Sequence, residues 1–107
     1  MIKRGMIVAR IKPGCADKVA ELFAASDSTE LPVKAGVRHR SLFVFGDVYV
    51  HLVEIERDFD RAVADVRDDP LFRELSAKLE AYIEPYDPAT WRSPADAMAR
   101  EFYSWDR

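Results

Sequence analysis

Cysteine is almost missing from this sequence. Cys15 stands alone among 107 residues, so no internal disulfide can form. With only His39 and His51 to join it, there is no spacing for a structural zinc site. Long apolar runs are missing as well: none approaches the length of a membrane span, and Met1-Ile2-Lys3-Arg4 is not followed by a signal-peptide core. A basic cluster is the third absence. The formal charge is −3, and the basic residues are scattered apart from Arg38, His39 and Arg40. A phosphate-binding surface needs clustered Lys and Arg, so a nucleic-acid partner is not expected. The default expectation is a reduced, cytoplasmic protein, which narrows the class and leaves the function open.

What is present is an ordinary globular composition, 49% hydrophobic and 33% charged, which excludes wholesale disorder. The length suits one domain, residues 1–107, with no repeat, low-complexity tract or linker. Met6 to Ile11 reads as a strand that Pro13-Gly14 stops. From Ala16 a helical period begins, with Val19, Leu22 and Phe23 on one face, and runs out near Ser26. Residues 26–32 then read as a polar loop. Arg40–Phe45 and Val48–Ile55 read as two strands, Asp58–Asp69 as a short helix and Leu71–Ile83 as another, opened by Pro70. Arg100–Trp105 reads as a closing strand. The order β-α-β-β-α-β is the ferredoxin-like arrangement, an α+β fold with a four-stranded antiparallel sheet and helices on one face. Its other face, if apolar, is naturally buried by a second copy of the chain.

The middle of the chain fixes a register. Gly46-Asp47 between the two strands is a type II′ hairpin signal. A two-residue turn pairs Phe45 with Val48, Phe43 with Val50 and Leu42 with His51. One face then holds Ser41, Phe43, Phe45, Val48, Val50 and Leu52; the other holds Arg40, Leu42, Val44, Tyr49, His51 and Val53. Both faces are apolar enough to expect burial. Arg40 falls diagonal to His51, and burial together with the like charge favours a neutral imidazole at pH 7. A single bulge residue inside the hairpin would separate the pair.

Each candidate also has a plain structural reading. His51 fits a hydrogen-bonded core histidine, and Arg40 a strand-end salt-bridge partner. Asp27-Ser28-Thr29-Glu30 fits turn chemistry, in which short polar side chains bond local backbone groups. Tyr49, Phe43 and Phe45 fit a core, and Cys15 has no base near it in the sequence. From the residues alone a fold and a site emerge, but no reaction.

Several blocks carry a resemblance. Asp27-Ser28-Thr29-Glu30-Leu31-Pro32, Gly36-Val37-Arg38-His39-Arg40 and Leu42-Phe43-Val44-Phe45 resemble the aromatic polyketide cyclases of the tetracenomycin type. So do Asp47-Val48-Tyr49-Val50-His51-Leu52, Pro70-Leu71-Phe72 and Glu101-Phe102-Tyr103-Ser104-Trp105. The blocks keep the family's order and spacing over essentially the whole chain. The resemblance implies a dimeric α+β barrel of two ferredoxin-like chains, without metal or organic cofactor. It also implies late intramolecular aldol ring closure on a multi-ring polyketide intermediate. It carries over Asp27, Arg40 and His51 as the residues at the reactive end of a cleft. Ser26 departs from the pattern, standing where a histidine precedes the aspartate, which removes one acid/base group. His39 is not a substitute, since the register puts it on the opposite face from Arg40.

On that resemblance, His51 exchanges the proton, Arg40 stabilises the enolate oxygen and Asp27 orients the base or a substrate hydroxyl. Phe23, Ser26, Leu42, Tyr49 and Val53 line the substrate. Two other functions suit a chain of this kind: a cofactor-independent monooxygenase forming a quinone, and a non-catalytic polyketide-binding protein.

Overall fold

The structure is a computed structural model that describes residues 2–92 and 94–107. In chain order it contains β1 (Lys3–Ile11), α1 (Ala16–Asp27), α2 (Leu31–Ala35), β2 (Val37–Phe45) and β3 (Val48–Ile55). These are followed by α3 (Phe59–Val66), α4 (Pro70–Leu79), β4 (Ile83–Pro85) and a 3-10 turn at Pro94–Ala97. The strands form one sheet in the order β2-β3-β1-β4, with every neighbouring pair antiparallel. The expected ferredoxin-like α+β architecture is therefore present.

The hairpin has the register expected of a two-residue turn: Phe45 faces Val48, Phe43 faces Val50 and Leu42 faces His51. Gly46 has φ of 61° and no non-glycine residue among the described residues has positive φ, which fits a turn whose first residue must be glycine. A bulge does occur in β2, but between Val37 and His39. It lies outside the hairpin pairs, so Arg40 keeps its place on the His51 face.

The helix α1 is alanine-rich and sets Val19 and Phe23 four residues apart, on one stripe that packs on the sheet. Both are buried with Ala9, Ile11 and Tyr49; each large apolar side chain so placed contributes about 1.5–3 kcal/mol. Two hydroxyls mark the end of the helix. Ser28 Oγ donates to the Ala25 carbonyl at 2.7 Å and Thr29 Oγ1 to that of Ser26 at 2.6 Å. Each is a second donor to its carbonyl, beside the backbone N–H of Ser28 at 3.3 Å and of Thr29 at 3.0 Å.

Four sequence expectations need correction. Residues 31–35 are helical rather than loop, because Pro32 sits in the first turn, where its missing N–H costs nothing. Gly36, with φ of 76°, closes that turn. The helix α4 stops at Leu79 rather than Ile83, and residues 83–85 pair with Ile11, Arg10 and Ala9 as the fourth strand. The fourth strand is thus not Arg100–Trp105. That segment holds no helix or strand; the last contacts with β1 are the Ile7–Met98 bridge and Ala99 N–H donating to the Met6 carbonyl at 2.7 Å. Lastly, only the helix-side face of the hairpin is buried within the chain. Phe43 and Phe45 on the other face are 54% and 87% exposed.

Candidate active site on the helix side of the sheet

The strand β3 lies between β2 and β1, so His51 is flanked by Leu42 and Ile7. It is the one buried polar residue among the described residues, 7% exposed. From the helix side Phe23 meets its ring edge-on, with centroids 5.1 Å apart. Tyr49, two residues earlier on the same face, lies 6.2 Å away in the same T-shaped sense.

One guanidinium joins the three expected residues. Arg40 Nε donates to Asp27 Oδ2 at 3.1 Å, and Nη2 donates to Asp27 Oδ1 at 2.9 Å. This is the bidentate fork that fixes arginine geometry best. Arg40 Nη1 is 2.9 Å from His51 Nε2. Cζ sits 4.8 Å from the Phe23 centroid, over the ring face, a cation–π position. Asp27 occupies the last turn of α1, where the helix dipole disfavours a carboxylate; the arginine opposite compensates it.

An arginine has no acceptor, so in the Arg40–His51 bond the imidazole nitrogen must accept. That requires an unprotonated Nε2. Burial first, and the Arg40 charge second, push the His51 imidazole down from 6.5 to about 3, so the ring is neutral at pH 7. This agrees with the neutral imidazole expected from the sequence. Burial also raises the Tyr49 phenol, against a smaller opposing pull from Arg40. Both aromatic groups are thus held in their uncharged forms.

The other sequence candidates divide. Phe23, Tyr49 and Leu42 do surround the three polar residues. Leu42 is half-buried and Val44 is exposed, so the helix layer leaves the helix-side face of β2 partly uncovered. Val53 pairs with Arg40 across the ladder, but it packs with Ile55 and Ala62 in a second core cluster. Ser26 points elsewhere: it helps line a cavity of about 150 Å³ between α1 and α4, with Leu22, Leu71 and Leu75. Arg40's role as a bridge was not readable in the sequence, because no pattern gives the angle of α1 over the sheet. A larger cleft of about 410 Å³ is lined by Lys3, Glu56, Arg57, Asp58, Arg61 and Asp65. Its lining is wholly charged and holds the Lys3–Asp58 and Arg57–Asp65 pairs, so it does not suit a flat apolar ligand.

Among the described residues no group of three or more His, Cys, Asp or Glu could hold a metal ion, and no helix is long and apolar enough to cross a membrane. Fold and site together define a small α+β protein in which Asp27, Arg40 and His51 form one hydrogen-bonded cluster against an aromatic wall. Comparison with known proteins gives the family: the polyketide synthesis cyclase model matches residues 3–106. The chain is 53% identical over 102 residues to a polyketide synthase protein, CurG, of Streptomyces cyaneus, covering 95% of each. It is 41% identical over 105 residues to tetracenomycin F2 cyclase of Streptomyces glaucescens, covering 98% of this chain and 95% of that one. The solved structure of the latter, described as a type-II polyketide cyclase, superposes with a TM-score of 0.89 over 98% of both chains. The chain belongs to the polyketide synthesis cyclase family, and its role is that of an aromatic polyketide cyclase.

Proposed function

We propose that this cyclase closes a ring of a polycyclic polyketide intermediate by intramolecular aldol condensation and loss of water, without a cofactor. The observation that carries this reading is the fixed guanidinium of Arg40. Asp27 and His51 occupy three of its five N–H groups, which leaves two for a substrate oxygen. A preorganised positive charge beside an apolar wall suits an enolate, whose oxygen gains negative charge as the carbon acid loses its proton. The substrate carbon is flanked by carbonyls and already acidified. Holding the chain near its attack geometry then supplies much of the acceleration, roughly 7–11 kcal/mol in well-oriented intramolecular reactions.

The working form in this proposal is a cytoplasmic homodimer. The sheet face away from the helices carries Phe43, Phe45, Met6, Val8, Val50 and Leu52, and the first three of these apolar residues that are exposed, Phe43, Phe45 and Met6, lie on it together. A second copy would bury that patch.

The test is product analysis with a multi-ring polyketide intermediate, in air and under nitrogen, against buffer. Loss of one water at equal rates in both atmospheres is expected. Gain of an oxygen atom in air alone would assign a quinone-forming monooxygenase instead. Saturable binding with no acceleration over buffer would assign a binding protein.

A further inference from the structure

We propose that His51 serves this reaction as a neutral hydrogen-bond donor through Nδ1–H, rather than as the group that takes the proton from carbon. The inference rests on the ring-closing function proposed above and concerns the division of labour within its site.

The argument is geometric. Arg40 Nη1 lies 2.9 Å from His51 Nε2, and because arginine can only donate, the Nε2 lone pair is already engaged. The hydrogen bond made by one ring nitrogen sets which nitrogen is protonated, so the single imidazole proton is on Nδ1. That edge makes no hydrogen bond with the described residues, although the residue is 7% exposed. No fully buried side-chain nitrogen or oxygen among the described residues is left unpartnered. Nδ1–H therefore reaches the small opening that His51 retains. A ring so held has nothing with which to accept a proton and one N–H with which to bind an oxygen. The low proton affinity of His51 agrees with this. Tyr49, also nearly buried and kept protonated, is of the same neutral character.

The proton must then have another destination. Asp27 is the member of the triad with lone pairs to spare: each oxygen accepts one Arg40 bond, and a carboxylate has about four acceptor positions. Its side chain is also the more open of the bridged pair. In the resulting step the proton of the doubly activated C–H passes to the Asp27 carboxylate, and its electron pair forms the enolate held by Arg40. The enolate carbon bonds to the second carbonyl carbon. The π pair of that carbonyl moves to its oxygen, which His51 Nδ1–H binds as charge develops and which takes the proton back from Asp27. Loss of that hydroxyl and a neighbouring hydrogen as water completes the ring.

The experiment has two arms. In the first, nitrogen-15 NMR of the histidine-labelled protein identifies which imidazole nitrogen carries the proton, with His39→Gln used to separate the two rings. A neutral ring protonated on Nδ1 and unchanged between pH 7 and about pH 5 is expected; a proton on Nε2, or titration near the ordinary histidine value, overturns the proposal. In the second, ring closure is compared in His51→Asn, whose amide N–H stands about where Nδ1–H does, and His51→Leu. A loss of about 10²–10³-fold in Leu with a loss of no more than about tenfold in Asn supports a donor. Equal losses in both, or none in either, overturn it. The NMR arm needs no turnover and no variant of His51. If the wild-type protein fails to cyclise any intermediate, the proposed function falls while the proton's position is still measured.

Discussion

Lowering the pH from 7 to 5 should destabilise this protein through His51. The cause is that the folded state refuses a proton the unfolded chain accepts. Folding depresses the imidazole from 6.5 to about 3, by burial and then by the Arg40 charge. Between those values the unfolded state binds more protons, so stability rises with pH across this window and is lost as pH falls below 6.5. Integrating the linkage from pH 7 to pH 5 gives a loss of about 2 kcal/mol. The figure hardly depends on the folded value, because any value below about 4 leaves the folded imidazole unprotonated at pH 5. Spread over a typical urea dependence, the midpoint should fall by roughly 1 M. The assay is urea unfolding at half-unit pH intervals, for the wild type and for His51→Gln, which has no group titrating there. The wild type should show the slope and the variant should not. Parallel curves for the two proteins would refute the assignment of a buried neutral imidazole at position 51.

Two further outcomes follow from the fold. Gly36→Ala places a Cβ 2.9 Å from Arg57 Nη2 at a residue with φ of 76°. Left-handed backbone alone costs an alanine about 1–2 kcal/mol, so the urea midpoint at pH 7 should fall; an unchanged midpoint would show that the turn relaxes freely. Phe43→Glu introduces charge on the uncovered sheet face, at the edge strand β2. Analytical ultracentrifugation should find the wild type dimeric and the variant monomeric with unchanged far-ultraviolet circular dichroism, whereas a monomeric wild type would remove the proposed interface.

The hairpin was the most legible part of the sequence. Gly46-Asp47 fixes the turn, the turn fixes the register, and register alone places Arg40, Leu42, Tyr49 and His51 on one face. Each of those steps is local. The errors fall where pairing is non-local. Residues 83–85 are too few to show a strand pattern, and only β1 beside them makes them one. Residues 100–105 are rich in the aromatic residues that favour strands, yet they belong to no strand of the sheet. The contact between Asp27 and Arg40 depends on how α1 crosses the sheet, which Val19 and Phe23 set by packing and no spacing reveals. The blocks of family likeness put Asp27 and Arg40 at one end of a cleft as an expectation, but not in contact with each other.

The bulge in β2 has a consequence for how this strand can change over evolution. Val37 faces Ile55 and packs into the second core cluster, while Arg40 faces Val53 on the same side. They are three residues apart, and strict alternation would put them on opposite sides. Arg38 is the extra residue that resets the phase, with its own side chain paired outward to Glu56 at 3.6 Å. Deleting one residue here would thus rotate either the core anchor or the reactive arginine out of place. Point substitutions of Arg38 should be tolerated far better, because what the strand needs at that position is length rather than any particular side chain.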